Sequence, residues 1–288
     1  MDPFTERKIE IENKKTAILK SYPKLWDRML LEFSTPDVIA RGWMLYSANY
    51  LFNTARVRWA MDPLRMVQRI PNSPDLDVSP LEKLDYIILT HRHADHLDLE
   101  LLRLLLNYPA TWIIPEFLLD HLRIEGLLSN KIVTPRSMEP ISMDGITLTP
   151  FEGFHWESSN PDQNGRRGIP SMGYMVEFNG KRWLFPGDTR TYNPDALTGF
   201  GPVDVLFAHL WLGKGCALQD TPELIEAFCL HCLSSNPKLI NITHLEEFGR
   251  QPGDYWDTRH FVPIEDWFRK HNPEIKVKSA FMGETILL

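Results

Sequence analysis

The chain has only three cysteines among 288 residues. A small, odd number excludes a disulfide framework as the source of stability. Two of them, Cys229 and Cys232, have C-x-x-C spacing but fall inside "TPELIEAFCLHCLSS", whose period predicts a helix setting both thiols beside Ile225 and Phe228. They read as core residues rather than a redox or zinc pair. No apolar run approaches the roughly 18 residues that span a bilayer. "MDPFTERKIEIENKKT" has no apolar signal-peptide region, so a cytoplasmic protein without a transmembrane segment is expected. Positive charge is also short: 31 Lys and Arg against 38 Asp and Glu leave a net charge of −7. That balance disfavours long nucleic acid as a partner, because such surfaces need clustered cations. The sequence shows no tandem repeat.

An apolar fraction of 43% with 24% charged residues is that of a globular protein. A chain this long buries roughly 70 to 75% of its unfolded surface, enough for a sizeable core. Residues 1–36 are charged and helical in period, with Leu19, Leu25, Trp26, Met29, Leu30 and Phe33 as an apolar stripe broken at Pro23. This is expected to be a helical extension, followed by one domain over 37–288. From Ala40, aromatic and β-branched runs predict strands on both sides of "NTA", the second ending at Asp62. "LDYIILT" then reads as a buried strand, "LDLELLRLLLNY" as a helix, "ATWIIP" as a strand, and "PEFLLDHLRIEGLL" as a helix closing near Gly126.

The second half begins with short strands around Ile132 and over 146–150, followed by a polar loop from Ser158 to Pro170. A hairpin turns at Asn179 and Gly180. The strand "VDVLFAH", the cysteine-bearing helix, the strand "KLINITH", a helix at "PIEDWFRKH" and terminal strands complete the chain. Two β-rich halves decorated with helices predict a layered α/β sandwich.

Strand after strand in this scheme ends in a residue able to bind metal: Asp62, His91, His93, Asp95, His96, His155, Asp188, His209 and His244. Strand ends open onto the ligand crevice of layered α/β folds, and imidazole and carboxylate suit zinc and similar divalent cations. With 10 histidines in the chain, the run H-x-H-x-D-H at 91–96 has a chance expectation of about 0.001. A polar helix cap alone would not need three histidines.

"THRHADHLD" resembles the H-x-H-x-D-H signature of the metallo-β-lactamase superfamily, and "AMDP", "GFHWE", "FPGDT" and "NITHLEE" resemble its other motifs in the expected order. The resemblance spans roughly residues 40–288. It implies a four-layer αββα sandwich and two divalent metal ions, zinc first, with manganese or iron(II) as alternatives. His91, His93 and His155 would hold one ion and Asp95, His96 and His244 the other, with Asp188 bridging. Asp62 would accept a hydrogen bond from a ligand imidazole, or else be a turn residue before Pro63. Asp98 would cap the following helix or support the ligands from behind. "DHLD", "FHW" and "MGYMVEFNGKRWLFPGDT" resemble the branch containing ascorbate-6-phosphate lactonase and N-acyl phosphatidylethanolamine-hydrolysing phospholipase D.

Two cations about 3.5 to 4 Å apart acidify a shared water and polarise a substrate oxygen. The expectation is therefore a metal-dependent hydrolase that uses an activated hydroxide on a small ester-like molecule, a lactone or a phosphodiester. Asp95 would orient the hydroxide or take its proton, and His209 is expected at the pocket rim as a second catalytic candidate. Arg166, Arg167 and Lys214 could pair with a phosphate or carboxylate, and Trp43, Trp156 and Trp211 could form walls; solvated loop charges and core tryptophans are the competing readings. The remaining alternatives are a phosphodiesterase on small nucleotides, an iron-dependent redox protein, and a non-catalytic metal-binding or sensor protein. A homo-oligomer is compatible with all of them.

Overall fold

The structure is a computed structural model that describes residues 2–35, 40–54, 56–128, 131–161 and 167–286, and of 156–161 and 167 the backbone. It begins with helix α1 (Pro3–Ser34), capped by Asp2, whose carboxylate accepts from Thr5 N at 3.1 Å. The helix runs through Pro23 rather than breaking there. An interior proline costs about 3 kcal/mol. Full burial of Tyr22, Trp26, Met29 and Phe33 around it, at about 1.5–3 kcal/mol for each large apolar side chain, offsets that cost.

The first sheet contains β1 (Arg41–Met44), β2 (Tyr50–Thr54), β3 (Val57–Met61), β4 (Tyr86–Ile88), β5 (Thr111–Ile113) and β6 (Ile132–Val133) in that order. The second is built from β7 (Ile141–Met143) and β8 (Ile146–Glu152), and, beyond a separate ribbon of β9 (Trp156–Pro161) and β10 (Arg167–Gly168), from β11 (Met172–Phe178), β12 (Lys181–Phe185), β13 (Val203–His209), β14 (Pro237–Thr243) and β15 (Lys276–Ser279). Its order is β15-β14-β13-β12-β11-β8-β7, and β16 (Thr285–Ile286) closes the first sheet beside β1. The ribbon replaces parts of the loop expected from Ser158 to Pro170, of which 162–166 lie outside the described residues. The hairpin between β11 and β12 turns where expected, with Asn179 and Gly180 both at positive φ.

Aromatic side chains fill the space between the sheets: Phe52 stacks on Trp59 at 4.2 Å, and Phe185 on Phe207 at 4.1 Å. On the outer face of the first sheet lie α1, α2 (Leu99–Leu105) and α3 (Glu116–Ile124), sharing one apolar core with it. On the outer face of the second lie α4 (Pro222–Leu233) and α5 (Thr258–His271), with Cys229 and Cys232 in their core. The architecture is the four-layer αββα sandwich. α5 begins five residues before the expected "PIEDWFRKH", because Asp257 and His260 form a capping box ahead of it.

Strand direction positions the site. β3 to β6 run parallel, as do β12 to β15. The carboxyl ends of β3, β4, β12, β13 and β14 are followed by Asp62, His91, Asp188, His209 and His244 or end on them, so one rim of the sandwich gathers them.

Candidate metal centre

Two residues of this rim sit in the left-handed backbone region, Asp62 at φ 47° and His244 at φ 69°. Such strain persists only where surrounding bonds over-determine it. Asp62 N donates to Ile88 O at 2.9 Å and His244 N to Ser47 O at 2.7 Å. Asn49, fully buried, donates to the carbonyls of both Asp62 and Asp95 at 2.9 Å. Gly187, at φ 71°, turns the chain immediately before Asp188.

Four residues come together in each of two groups, His91, His93, His155 and Asp188 in one and Asp95, His96, His244 and Asp188 in the other, with ligand-capable atoms within 4.8 Å of one another. Asp188 belongs to both. Its Oδ1 lies 3.1 Å from His96 Nε2 and 3.6 Å from His244 Nε2, and its Oδ2 lies 3.6 Å from His155 Nε2 and 3.9 Å from His91 Nε2. Every member is buried except His93, which is half-buried.

The partners behind the rings decide which nitrogen faces inward. Asp62 Oδ2 accepts from His96 Nδ1 at 2.8 Å and also from the Thr90 hydroxyl, while Thr90 N donates to Asp62 Oδ1 at 2.8 Å. The Thr90 oxygen in turn lies 2.9 Å from His91 Nδ1. One carboxylate thus orients a ring in each group, directly for His96 and through Thr90 for His91, and turns Nε2 of both inward. His244 Nδ1 lies 3.3 Å from Leu210 O, which leaves its Nε2 inward as well. His91 Nε2 and His96 Nε2 are buried and have no hydrogen-bond partner among the described residues. Buried ring nitrogens without a partner, set against a shared carboxylate, are what a divalent cation would satisfy, and the N/O donor set fits zinc, manganese or iron.

Electrostatics follow the same division. Burial pushes His93 down to about 4, with His155 adding to the effect, and drives His91 well below its ordinary value. Burial also opposes charge on His96, but Asp188 and Asp62 outweigh it and hold that ring well above its ordinary value. Burial works against charge on Asp95 and Asp188, yet the His244 contact and Arg250 keep the first, and His244 and His96 the second, well below the carboxylate range. Asp62 is lifted, because burial outweighs its bonds to His96 and Thr90.

His209 departs from its expected rim position. It is buried, with Nδ1 3.0 Å from Asp188 Oδ1 and Nε2 3.0 Å from the Tyr50 hydroxyl, which itself lies 2.9 Å from Thr243 Oγ1. Both nitrogens are engaged, so the ring braces Asp188, and burial drives it down to about 4. Asp98 caps α2 through Leu101 N at 2.9 Å and pairs with Arg65 at 2.9 and 3.0 Å, so it anchors the end of the histidine segment. Trp43 is core, beside Phe33. Trp211 is half-buried under the Arg190 guanidinium at 4.1 Å, and Lys214 is exposed on the loop after β13. Arg166 falls outside the described residues, and Trp156 and Arg167 are described as backbone only, in β9 and β10. His231, His260 and His271 bond to backbone carbonyls away from the cluster, as expected of structural histidines.

Two arginines at the cluster were not anticipated. Arg190 Nη2 lies 3.3 Å from both His155 Nε2 and Asp188 Oδ2, and Arg250 Nη2 lies 2.8 Å from Asp95 Oδ2 and 2.9 Å from His244 Nε2. Glu247, bonded to Arg69 at 2.8 Å and to the Tyr46 hydroxyl at 2.8 Å, lies 3.7 Å from Arg250 Nε. Gly249 permits this packing, since a Cβ there would meet Arg69 Nη2 at 2.4 Å. The available signal was position: each arginine follows a ligand candidate closely, in "GDTR" and "HLEEFGR".

Comparison with known proteins agrees with this geometry. Residues 50–215 match the family model described as a beta-lactamase superfamily domain. A UPF0173 metal-dependent hydrolase from Staphylococcus saprophyticus is 31% identical over 184 residues, covering 60% of this chain and 73% of that protein. Among solved structures, the metallo hydrolase Igni18 from Ignicoccus hospitalis superposes with a TM-score of 0.61 at 18% identity, over 86% of this chain and 97% of that one. The diiron beta-hydroxylase CmlA from Streptomyces venezuelae does so with 0.64 at 17%, over 88% of this chain and 55% of that one. At those identities the likeness is one of fold, whereas the family match spans more than half of the sequence and includes the H-x-H-x-D-H segment and Asp188. The chain belongs to the metallo-β-lactamase superfamily.

Proposed function

We propose that this metallo-β-lactamase-fold hydrolase uses two divalent cations, zinc first, to cleave a small ester-like substrate, a lactone or a phosphodiester. The observation that carries the reading is the division of Asp188, with one oxygen facing each group of histidines. His91, His93 and His155 would hold one ion, Asp95, His96 and His244 the other, and Asp188 would span both. When bound, such ions acidify water and polarise the ester oxygen of the substrate. The chain's own groups do the rest. Asp62 and Thr90 hold the imidazoles with Nε2 inward, and His209, braced by Tyr50, keeps Asp188 in place. Asp95, which stays ionised at neutral pH, accepts a hydrogen bond from the attacking water and orients it.

The resemblance of "DHLD" and "FHW" to the lactonase and phospholipase branch supports the choice of substrate class, and a cytoplasmic location belongs to the same reading. Elemental analysis should find two metal ions per chain, and the loaded protein should hydrolyse members of a lactone and phosphodiester panel. Asp188→Asn removes the one carboxylate common to both groups. It is expected to lower metal affinity and kcat/KM by more than the ~10- to 100-fold typical of losing a group that only orients a ligand. Full activity in that variant, or in His91→Ala, would refute the reading.

A further inference from the structure

Arg190 and Arg250 stand one to each group of ligand candidates, and each shares the atoms a metal ion would need. Arg250 Nη2 bonds to Asp95 Oδ2 at 2.8 Å and to His244 Nε2 at 2.9 Å. Arg190 Nη2 reaches Asp188 Oδ2 and His155 Nε2, both at 3.3 Å. An imidazole nitrogen has a single lone pair. While it accepts a guanidinium N–H it is not available to a cation. A carboxylate oxygen can serve two partners, but a dication and a guanidinium on the same oxygen repel strongly in a buried site.

Both side chains also have a favourable neighbour outside the cluster. Arg250 Nε lies 3.7 Å from Glu247, which Arg69 and Tyr46 hold in place. The Arg190 guanidinium lies over the Trp211 ring at 4.1 Å. Each cation therefore keeps a favourable neighbour when its contacts to the ligand atoms are lost. The carboxylates present the converse need: Asp95 and Asp188 are buried like charges in one cluster, and without cations they would repel one another.

We propose that Arg190 and Arg250 are resident counter-cations that hold the ligand cluster assembled in the metal-free protein, one for each group, and that metal loading displaces them from the ligand atoms. The proposal rests on the metal-centre reading above and adds to it a competition built into the chain. Its signature is a pair of opposed effects. Removing an arginine weakens the metal-free protein and tightens metal binding, whereas a merely structural arginine would lower both.

The test uses the full chain as Arg190→Met and Arg250→Met, stripped with a chelator and titrated with Zn²⁺ against a chromophoric competitor, with thermal melts of the metal-free forms. Each variant is expected to melt lower than wild type without metal. Each should bind one of the two equivalents about ten- to a hundredfold more tightly, the equivalent of one or two charge-assisted hydrogen bonds no longer competing. Chelator-driven release from protein prepared with metal gives the same answer for a variant that does not fold without it: slower release than wild type is expected, and faster release overturns the proposal. Metal uptake by wild type with unchanged or weakened affinity in both variants overturns the arginine assignment alone. A wild-type protein that takes up no metal overturns it together with the metal-centre reading.

Discussion

Asp62→Asn isolates the orienting role of one carboxylate. The backbone there lies at φ 47°, a region asparagine tolerates, so the substitution leaves the chain path undisturbed where alanine would not. The carboxylate accepts three hydrogen bonds: from Thr90 N on Oδ1, and from the Thr90 hydroxyl and His96 Nδ1 on Oδ2. An amide offers one oxygen. If that oxygen takes the Oδ2 position, its NH₂ group faces Thr90 N–H, and a buried donor is left unpaired at a cost of about 1–3 kcal/mol. If it takes the Oδ1 position, the NH₂ group faces His96 Nδ1 and selects the tautomer with the proton on Nε2, the atom aimed at Asp188. That tautomer cannot ligate.

Either route weakens the centre. Loss of an orienting partner typically costs 10- to 100-fold in metal affinity, about 1.4–2.7 kcal/mol. Because Thr90 relays the same carboxylate to His91, both equivalents should weaken, the one at His96 more. A competition titration with Zn²⁺ reads both constants, and a melt of the metal-free protein reads the stability cost. Two affinities within twofold of wild type, with an unchanged melting temperature, would refute the reasoning.

Metal loading is expected to release protons, because a ligand imidazole must be neutral to bind. Asp188 and Asp62 outweigh burial and favour the charged form of His96, whereas burial disfavours it on His91 and His93. Calorimetric titration in buffers of different ionisation enthalpy measures this, and a heat independent of the buffer contradicts it. Asp257 ties α1 to α5, with Lys14 Nζ at 2.7 Å and Arg7 Nη2 at 3.0 Å, and removing its buried charge as Asp257→Asn should cost about 3–5 kcal/mol in a denaturant melt. Burial opposes its ionisation, but His260, Lys14 and Arg7 hold its folded-state value down. The stabilisation is thus present above the unfolded value of about 4 and lost as pH falls below it. The variant should lose that part of the acid sensitivity, and an unaltered acid limb in its pH–stability profile counts against the assignment.

Much of the site was legible in the sequence because its residues follow strand ends, and strand ends are marked by where apolar runs stop. His91, His93, Asp95 and His96 lie within six residues of one another, and Asp62, His155, Asp188 and His244 each close or follow a run that is a strand or leads from one. His209 shows where that logic misleads. It too ends an apolar strand, β13, but its ring is directed between the sheets, onto Asp188 and Tyr50. Pro23 misled in a similar way: local propensity marks a break, and the buried aromatic stripe of α1 overrides it.

The alternation of strands and helices, the two β-rich halves, the core placement of Cys229 and Cys232 and the set of metal-capable residues at strand ends can all be read along the chain. Local periodicity and residue chemistry suffice for these, since each depends on neighbours along the chain. That Asp188 divides its oxygens between two groups, that Asp62 orients a ring in each, and that Arg190 and Arg250 contact the same ligand atoms emerges from the folded chain alone. Those facts are distances between side chains from separate segments that follow strands, 34 residues apart for Asp62 and His96 and 155 for Asp95 and Arg250. They arise when two twisted sheets face one another and bring the ends of their parallel strands to one edge.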